Sequence, residues 1–117
     1  MHPSVARFDE DSTLFVYGSL RDPARREEVL GRVVTTVPAT LRDYAVERAR
    51  YHYIQRRAEA MTAGMLLVYL HSEDFGALDR YEETPVLYTR EKITVIDASG
   101  NAQRCWVYLP TSHTIRG

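Results

Sequence analysis

The chain has 117 residues, 44% hydrophobic and 26% charged, with fifteen basic against sixteen acidic side chains and a formal net charge of −1. That length suits one compact domain that buries a core without disulfides or metal. The balanced charge lacks the basic excess of a nucleic-acid footprint, and no apolar run approaches the ~18–20 residues that span a membrane.

Residues 1–11 are mixed and polar and read as a loose N-terminal tail. Met1-His2-Pro3-Ser4 has no basic stretch followed by an apolar one, so no secretory signal is expected. Thr13 to Tyr17 is a short run of β-formers stopped by Gly18, which predicts a buried strand. Asp22 before Pro23 is an N-cap followed by the favoured first helical position, so a helix is predicted over Pro23 to Leu30, closed by Gly31. Val33 to Leu41 carries β-branched residues around Pro38 and predicts an edge strand or a bulge, which Tyr44 to Glu47 continues after a bend. Arg48 to Glu59 is charged and aromatic without periodicity and reads as a loop.

Ala63 to Leu70 is an almost continuous apolar strand. Ser72 is expected to cap a helix that runs to about Glu83, where Thr84-Pro85 breaks it. Tyr88 to Ile96 and Gln103 to Leu109 form a hairpin around the turn at Ala98 to Asn101. In its second strand Cys105, Val107 and Leu109 share one face, and Arg104, Trp106 and Tyr108 the other. From Pro110 onward the chain reads as a mobile tail. The class is α+β, with a mixed or antiparallel sheet able to curl into a barrel. No linker divides the chain, so a single domain over residues 1–117 is expected, its core about 13–110.

Two features point to chemistry. At 100° per residue, with Phe75 at zero, Leu78 falls at ~300° and Glu82 at ~340°, so an acid stands between the large apolar residues of its helix. Burial raises a carboxyl pKa, and a glutamate brought near neutrality can both take and give a proton. The plainer reading turns Glu82 to solvent at the helix end, or onto Arg90. The second feature is Tyr17-Gly18-Ser19-Leu20, which follows a buried strand and precedes a helix. Backbone N–H groups in such a turn can cup an anion, although most turns of this kind hold nothing. It has no lysine or second glycine of a phosphate loop, which disfavours nucleotides.

The four histidines, His2, His52, His71 and His113, have no metal-ligand spacing. Ser19, Ser72 and Ser99 lack the context of a nucleophilic serine. The lone Cys105 reads as core and fits a reducing cytoplasm. The mixed charges from Arg42 to Arg57 read as a solvated face.

Leu14-Phe15-Val16-Tyr17-Gly18-Ser19-Leu20 resembles the N-terminal signature of the gamma-glutamylcyclotransferase-like family, and Leu78-Asp79-Arg80-Tyr81-Glu82 resembles its second motif. Tyr88-Thr89-Arg90, Ala63-Gly64-Met65-Leu66 and Trp106-Val107-Tyr108 follow in the family's order, so the resemblance spans roughly residues 13–109. It implies a small mixed-sheet barrel flanked by short helices. It also implies a substrate loop using backbone N–H groups of Tyr17, Gly18, Ser19 and Leu20, Glu82 as acid and base, and Tyr88 on the pocket wall. The implied reaction releases 5-oxoproline from a small-molecule gamma-glutamyl amine, dipeptide or amide, without metal or cofactor and without nucleic-acid or membrane partners. The chain departs from the family in Glu83, where glycine is frequent, and in Tyr51 to Arg56, where a proline-containing stretch is frequent. A non-catalytic small-molecule binding protein on the same fold is the alternative, and an interaction module pairing through an edge strand a third reading.

Overall fold

The structure is a computed structural model that describes residues 7–48 and 51–116. Five strands alternate with short helices: β1 (Leu14–Val16), α1 (Pro23–Leu30), β2 (Thr35–Arg48), β3 (His52–Val68), α2 (Ser72–Tyr81), β4 (Tyr88–Asp97), β5 (Ala102–Pro110) and α3 (Ser112–Arg116). The strands close into a barrel in the order β1-β3-β2-β4-β5. All neighbours are antiparallel except β1 and β5, which run parallel with Leu14 opposite Trp106 and Phe15 opposite Val107. The sheet is therefore mixed, and the fold is the α+β barrel with short flanking helices that the resemblance implies.

Strand alternation divides the apolar residues into two cores. Phe15, Ala39, Leu41, Leu66, Val68, Val95, Cys105 and Val107 fill the barrel. Their neighbours Leu14, Val16, Leu67 and Tyr108 face outward, under Phe75 and Leu78 of α2 and beside Val29 and Leu30 of α1. The hairpin face carrying Cys105, Val107 and Leu109 is thus the inner one.

Helix α1 begins and ends where the sequence predicts. The Asp22 side chain accepts from the Ala24 N–H at 3.2 Å, and Gly31 closes the helix at φ 73°. For α2 the cap moves by one residue: His71 is the N-cap and Ser72 already helical, with the Asp74 carboxylate accepting the His71 N–H at 2.7 Å. Arg32 donates to the same carboxylate, so the helix start gains a tertiary ion pair that local spacing does not reveal.

Four expectations are corrected. Arg48 to Glu59 is strand rather than loop: Arg48 ends β2 and His52 to Glu59 open β3, while positions 49 and 50 lie outside the described residues. Residues 55–59 are exposed there, so ladder bonding and not burial makes the strand, and no periodicity results. Pro38 lies in a paired strand, opposite Met65 of β3, rather than on an edge or at a bulge. It is tolerated because β2 meets β4 only from Ala39 onward, so its missing N–H has no ladder partner to lose. The bulge comes later, between Arg42 and Tyr44, where Asp43 takes φ 65°. The expected mobile C-terminal tail is instead the end of β5 and α3, with Thr114 fully buried and its hydroxyl bonded to the Leu87 carbonyl. Finally, of the predicted N-terminal tail, positions 1–6 lie outside the described residues, but Phe8 packs edge-on to Tyr69, and Glu10–Ser12 form a 3-10 turn.

Candidate active site

β1 ends at Val16, and the chain enters a 3-10 turn over Ser19–Arg21. Within it Arg21 N–H donates to the Gly18 carbonyl and Asp22 N–H to that of Ser19, both at 3.1 Å. The N–H groups of Gly18, Ser19 and Leu20 precede the first of these donors, as the leading donors of any helical turn do. The Arg21 side chain braces the loop by donating to the Gly18 carbonyl at 3.2 Å. Gly18 itself has φ −111°, and a Cβ there would stand 3.8 Å from that of His52, an ordinary contact. The turn alone does not require glycine at this position.

Helix α2 stops at Tyr81, two residues earlier than predicted, and Glu82 is its C-cap, with its N–H donating to the Leu78 carbonyl at 2.9 Å. Glu83 follows at φ 53°, and Thr84 N–H donates back to the Asp79 carbonyl at 2.9 Å. The Asp79 side chain clamps this end to the barrel. It accepts the Tyr108 hydroxyl at 2.6 Å and Arg90 Nε at 3.1 Å, with Arg90 Nη2 at 3.3 Å on its other oxygen. The Arg90 guanidinium is stacked 4.6 Å from the Phe75 ring and 4.5 Å from that of Trp106. Arg90 is therefore the partner of Asp79, not of Glu82. Among the described residues the Glu82 side chain accepts no hydrogen bond, and burial pushes its pKa from 4.5 up to about 7.

Glu82 and the loop at Gly18 line one cavity of about 320 Å³. Its wall includes Tyr17, Gly18, Ser19, Leu20, Glu82 and Tyr88, the full set of residues named from the sequence. Phe15, Val16, Tyr51, His52, Tyr81, Glu83, Leu87 and Tyr108 complete it. Tyr51 and His52 open the stretch that the sequence marks as a departure from the family, but no strand periodicity there assigns either to the wall, and the far hairpin of β2 and β3 is what brings them here. Tyr81 and Tyr108 carry a signal that composition hints at, since eight tyrosines stand in the chain, but no spacing assigns them to a site.

Hydrogen bonds orient the aromatic wall. Tyr17 donates to the Tyr108 carbonyl at 2.6 Å and Tyr88 to the His52 carbonyl. Ser19 Oγ and the Tyr81 hydroxyl lie 2.6 Å apart, and Arg25 donates to that hydroxyl at 3.4 Å. Burial first, and then neighbouring negative charge including that of Glu82, pushes the ionisation of Tyr17, Tyr88 and Tyr108 upward. Burial likewise pushes the Cys105 thiol up to about 12, inside the barrel. Among the described residues no three His, Cys, Asp or Glu side chains converge as metal ligands do, and no helix is long and apolar enough to cross a membrane.

A family model described as gamma-glutamyl cyclotransferase, AIG2-like, matches residues 14–117. A curated protein of Methanocaldococcus jannaschii, named gamma-glutamylcyclotransferase and putative RNase, is 26% identical over 99 residues, covering 82% of this chain and 45% of that protein. The chain thus spans less than half the length of that relative. A solution structure from Arabidopsis thaliana superposes with a TM-score of 0.77 at 24% identity, covering 87% of this chain and 70% of the other. A structure named gamma-glutamyl cyclotransferase gives 0.76 at 17% identity, covering 86% and 66%. A Homo sapiens structure gives 0.74 at 18% identity, covering 89% and 69%. At these identities the structural likeness speaks to the fold.

Proposed function

The chain belongs to the gamma-glutamyl cyclotransferase, AIG2-like family, and from that premise we propose that it cyclises a gamma-glutamyl amide or dipeptide, releasing 5-oxoproline and an amine or amino acid, with Glu82 as general acid and base. One observation carries the reading: two segments some sixty residues apart meet in one cavity, one bringing a half-buried carboxyl without a hydrogen-bond donor, the other a turn with leading N–H groups.

The substrate's α-ammonium gives a proton to the Glu82 carboxylate. The freed amine attacks its own γ-carbonyl, forming the ring C–N bond and placing charge on the carbonyl oxygen. N–H groups of Gly18, Ser19 and Leu20 stabilise that charge, as preorganised donors do. Glu82 returns the proton to the leaving nitrogen as the original C–N bond breaks, and the ring nitrogen gives up its second proton to the departing amine, which leaves as an ammonium. A carboxyl with a pKa of about 7 suits both steps at neutral pH. Holding the substrate folded supplies much of the rate, because both reacting groups belong to one molecule. Neither metal nor cofactor enters this scheme, and a reducing cytoplasm suits the unpaired Cys105.

The test is 5-oxoproline release from a panel of gamma-glutamyl dipeptides and amines. Glu82→Gln should lower kcat by about 10²–10⁴-fold while the fold is kept. Wild-type turnover by the variant would remove Glu82 from the reaction. A folded protein that binds panel members without releasing 5-oxoproline from any would favour the non-catalytic binder.

A further inference from the structure

We propose that Tyr88 and Tyr108, with Glu82, form an acceptor-only seat for a primary ammonium; in the reaction above, on which this identification rests, that group is the α-ammonium of the gamma-glutamyl substrate. A phenol has one proton to donate. Tyr88 gives its proton to the His52 carbonyl, and Tyr108 gives its proton to Asp79 Oδ1 at 2.6 Å. Neither acceptor is free to turn away. Asp79 is held by Arg90, and the His52 carbonyl belongs to the backbone of β3. With their protons committed, both phenol oxygens have lone pairs alone left to offer, and both residues line the cavity. Glu82 adds a carboxyl that no donor of the protein satisfies among the described residues. Burial, reinforced by nearby negative charge, keeps both phenols neutral.

Tyr17 is excluded from the seat. Its hydroxyl donates to the Tyr108 carbonyl and its oxygen also meets the Ile54 backbone, so it ties strands together. The opposite wall has the reverse polarity. Arg25 donates to the Tyr81 oxygen, and the Tyr81 and Ser19 hydroxyls share a single hydrogen bond with either as donor, so one hydroxyl proton is left over beside the N–H groups of the turn. Donors on one wall and acceptors on the other suit the zwitterionic head of an amino acid. A group that carries no proton to donate finds no partner at the two phenols unless one of them first breaks its bond to His52 or Asp79.

The experiment is a protein-detected NMR titration of the full chain at neutral pH with L-glutamine, a simple gamma-glutamyl amide, and with glutaramate, the same molecule without its α-amine. L-Glutamine should bind at least about tenfold tighter, the worth of a hydrogen bond to a charged group. Tyr88→Phe and Tyr108→Phe should each abolish most of that preference, read as the ratio of the two affinities within each variant, and thermal melts check that each variant folds. The wild-type comparison stands even if neither variant folds. Equal affinity for the two ligands, binding of neither, or a preference intact in both folded variants would overturn the seat. Turnover measured on the same samples separates the two readings. An ammonium preference with no 5-oxoproline release from any panel member defeats the cyclotransferase reading and leaves the seat standing, whereas turnover without the preference defeats the seat alone.

Discussion

Folding takes the Glu82 carboxyl partly out of water and gives it no hydrogen bond in return among the described residues, so its pKa rises from 4.5 to about 7. The folded chain then holds a proton that the unfolded chain releases, and stability falls as pH climbs from the lower value to the higher. Below both values the residue is neutral in either state and costs nothing. Above both, the penalty levels off at on the order of 3 kcal/mol. Glu82→Gln keeps the shape and removes the charge. It should therefore be more stable than the wild type at about pH 8 and nearly equal to it at about pH 4, by denaturant titration at each pH. The same stability difference at both pH values would show that the carboxyl is not desolvated by folding. Cavity tyrosines follow a related logic, since their role depends on where each proton goes and not on the ring alone.

Among the elements, the junction of α2 with the barrel matters most for the site. Asp79 accepts from Arg90 of β4 and Tyr108 of β5, while its backbone carbonyl receives the Thr84 N–H just past Glu82. One residue thus fixes both the helix end and the turn that carries the acid. The contact of β1 with β3 is equally demanding. A Cβ at Gly64 would stand 2.3 Å from the Val16 carbonyl oxygen and 2.7 Å from the Phe15 ring, in the backbone and core of the neighbouring strand. Gly64→Ala should therefore cost about 3 kcal/mol through overpacking, seen as a lowered denaturation midpoint with an unchanged slope. A midpoint equal to that of the wild type would mean that the two strands separate at little expense.

At the scale of the molecule, the barrel and the hairpin arm differ in how they are held. Leu14, Phe15, Leu66 and Leu67 are fully buried, whereas residues 55–59 on the arm are exposed. Backbone amides open locally where few apolar contacts resist them. Hydrogen exchange should protect Leu14–Val16 and Leu66–Val68 longest and together, as parts of one cooperative domain, with Gln55–Arg57 exchanging well before them. Arm amides as slow as those of the barrel, or barrel strands that open separately, would contradict this division. The arm also reaches the cavity, because Tyr51 and His52 lie at its end.

Much of this organisation is legible without coordinates. The strand at Thr13 to Tyr17, the capped helix from Pro23, the hairpin around Ala98 to Asn101 and the acid on the apolar side of α2 all follow from spacings within a few residues. These are set by local backbone geometry, so sequence by itself determines them. The two motifs at Tyr17–Leu20 and Glu82 were visible as candidates for the same reason. Only the tertiary structure decides which strands become neighbours. The parallel closure of β1 on β5 joins segments some ninety residues apart, and no local period encodes that choice. Arg48 to Glu59 reads as loop because residues 55–59 are held by bonds to β2 and not by burial, which leaves no period to read. The tyrosine protons of the cavity go to acceptors on distant elements, His52 on β3, Asp79 on α2 and the Tyr108 carbonyl on β5. A side chain's type is written in the sequence, but a hydrogen bond needs both partners in place, and only the closed barrel brings them together.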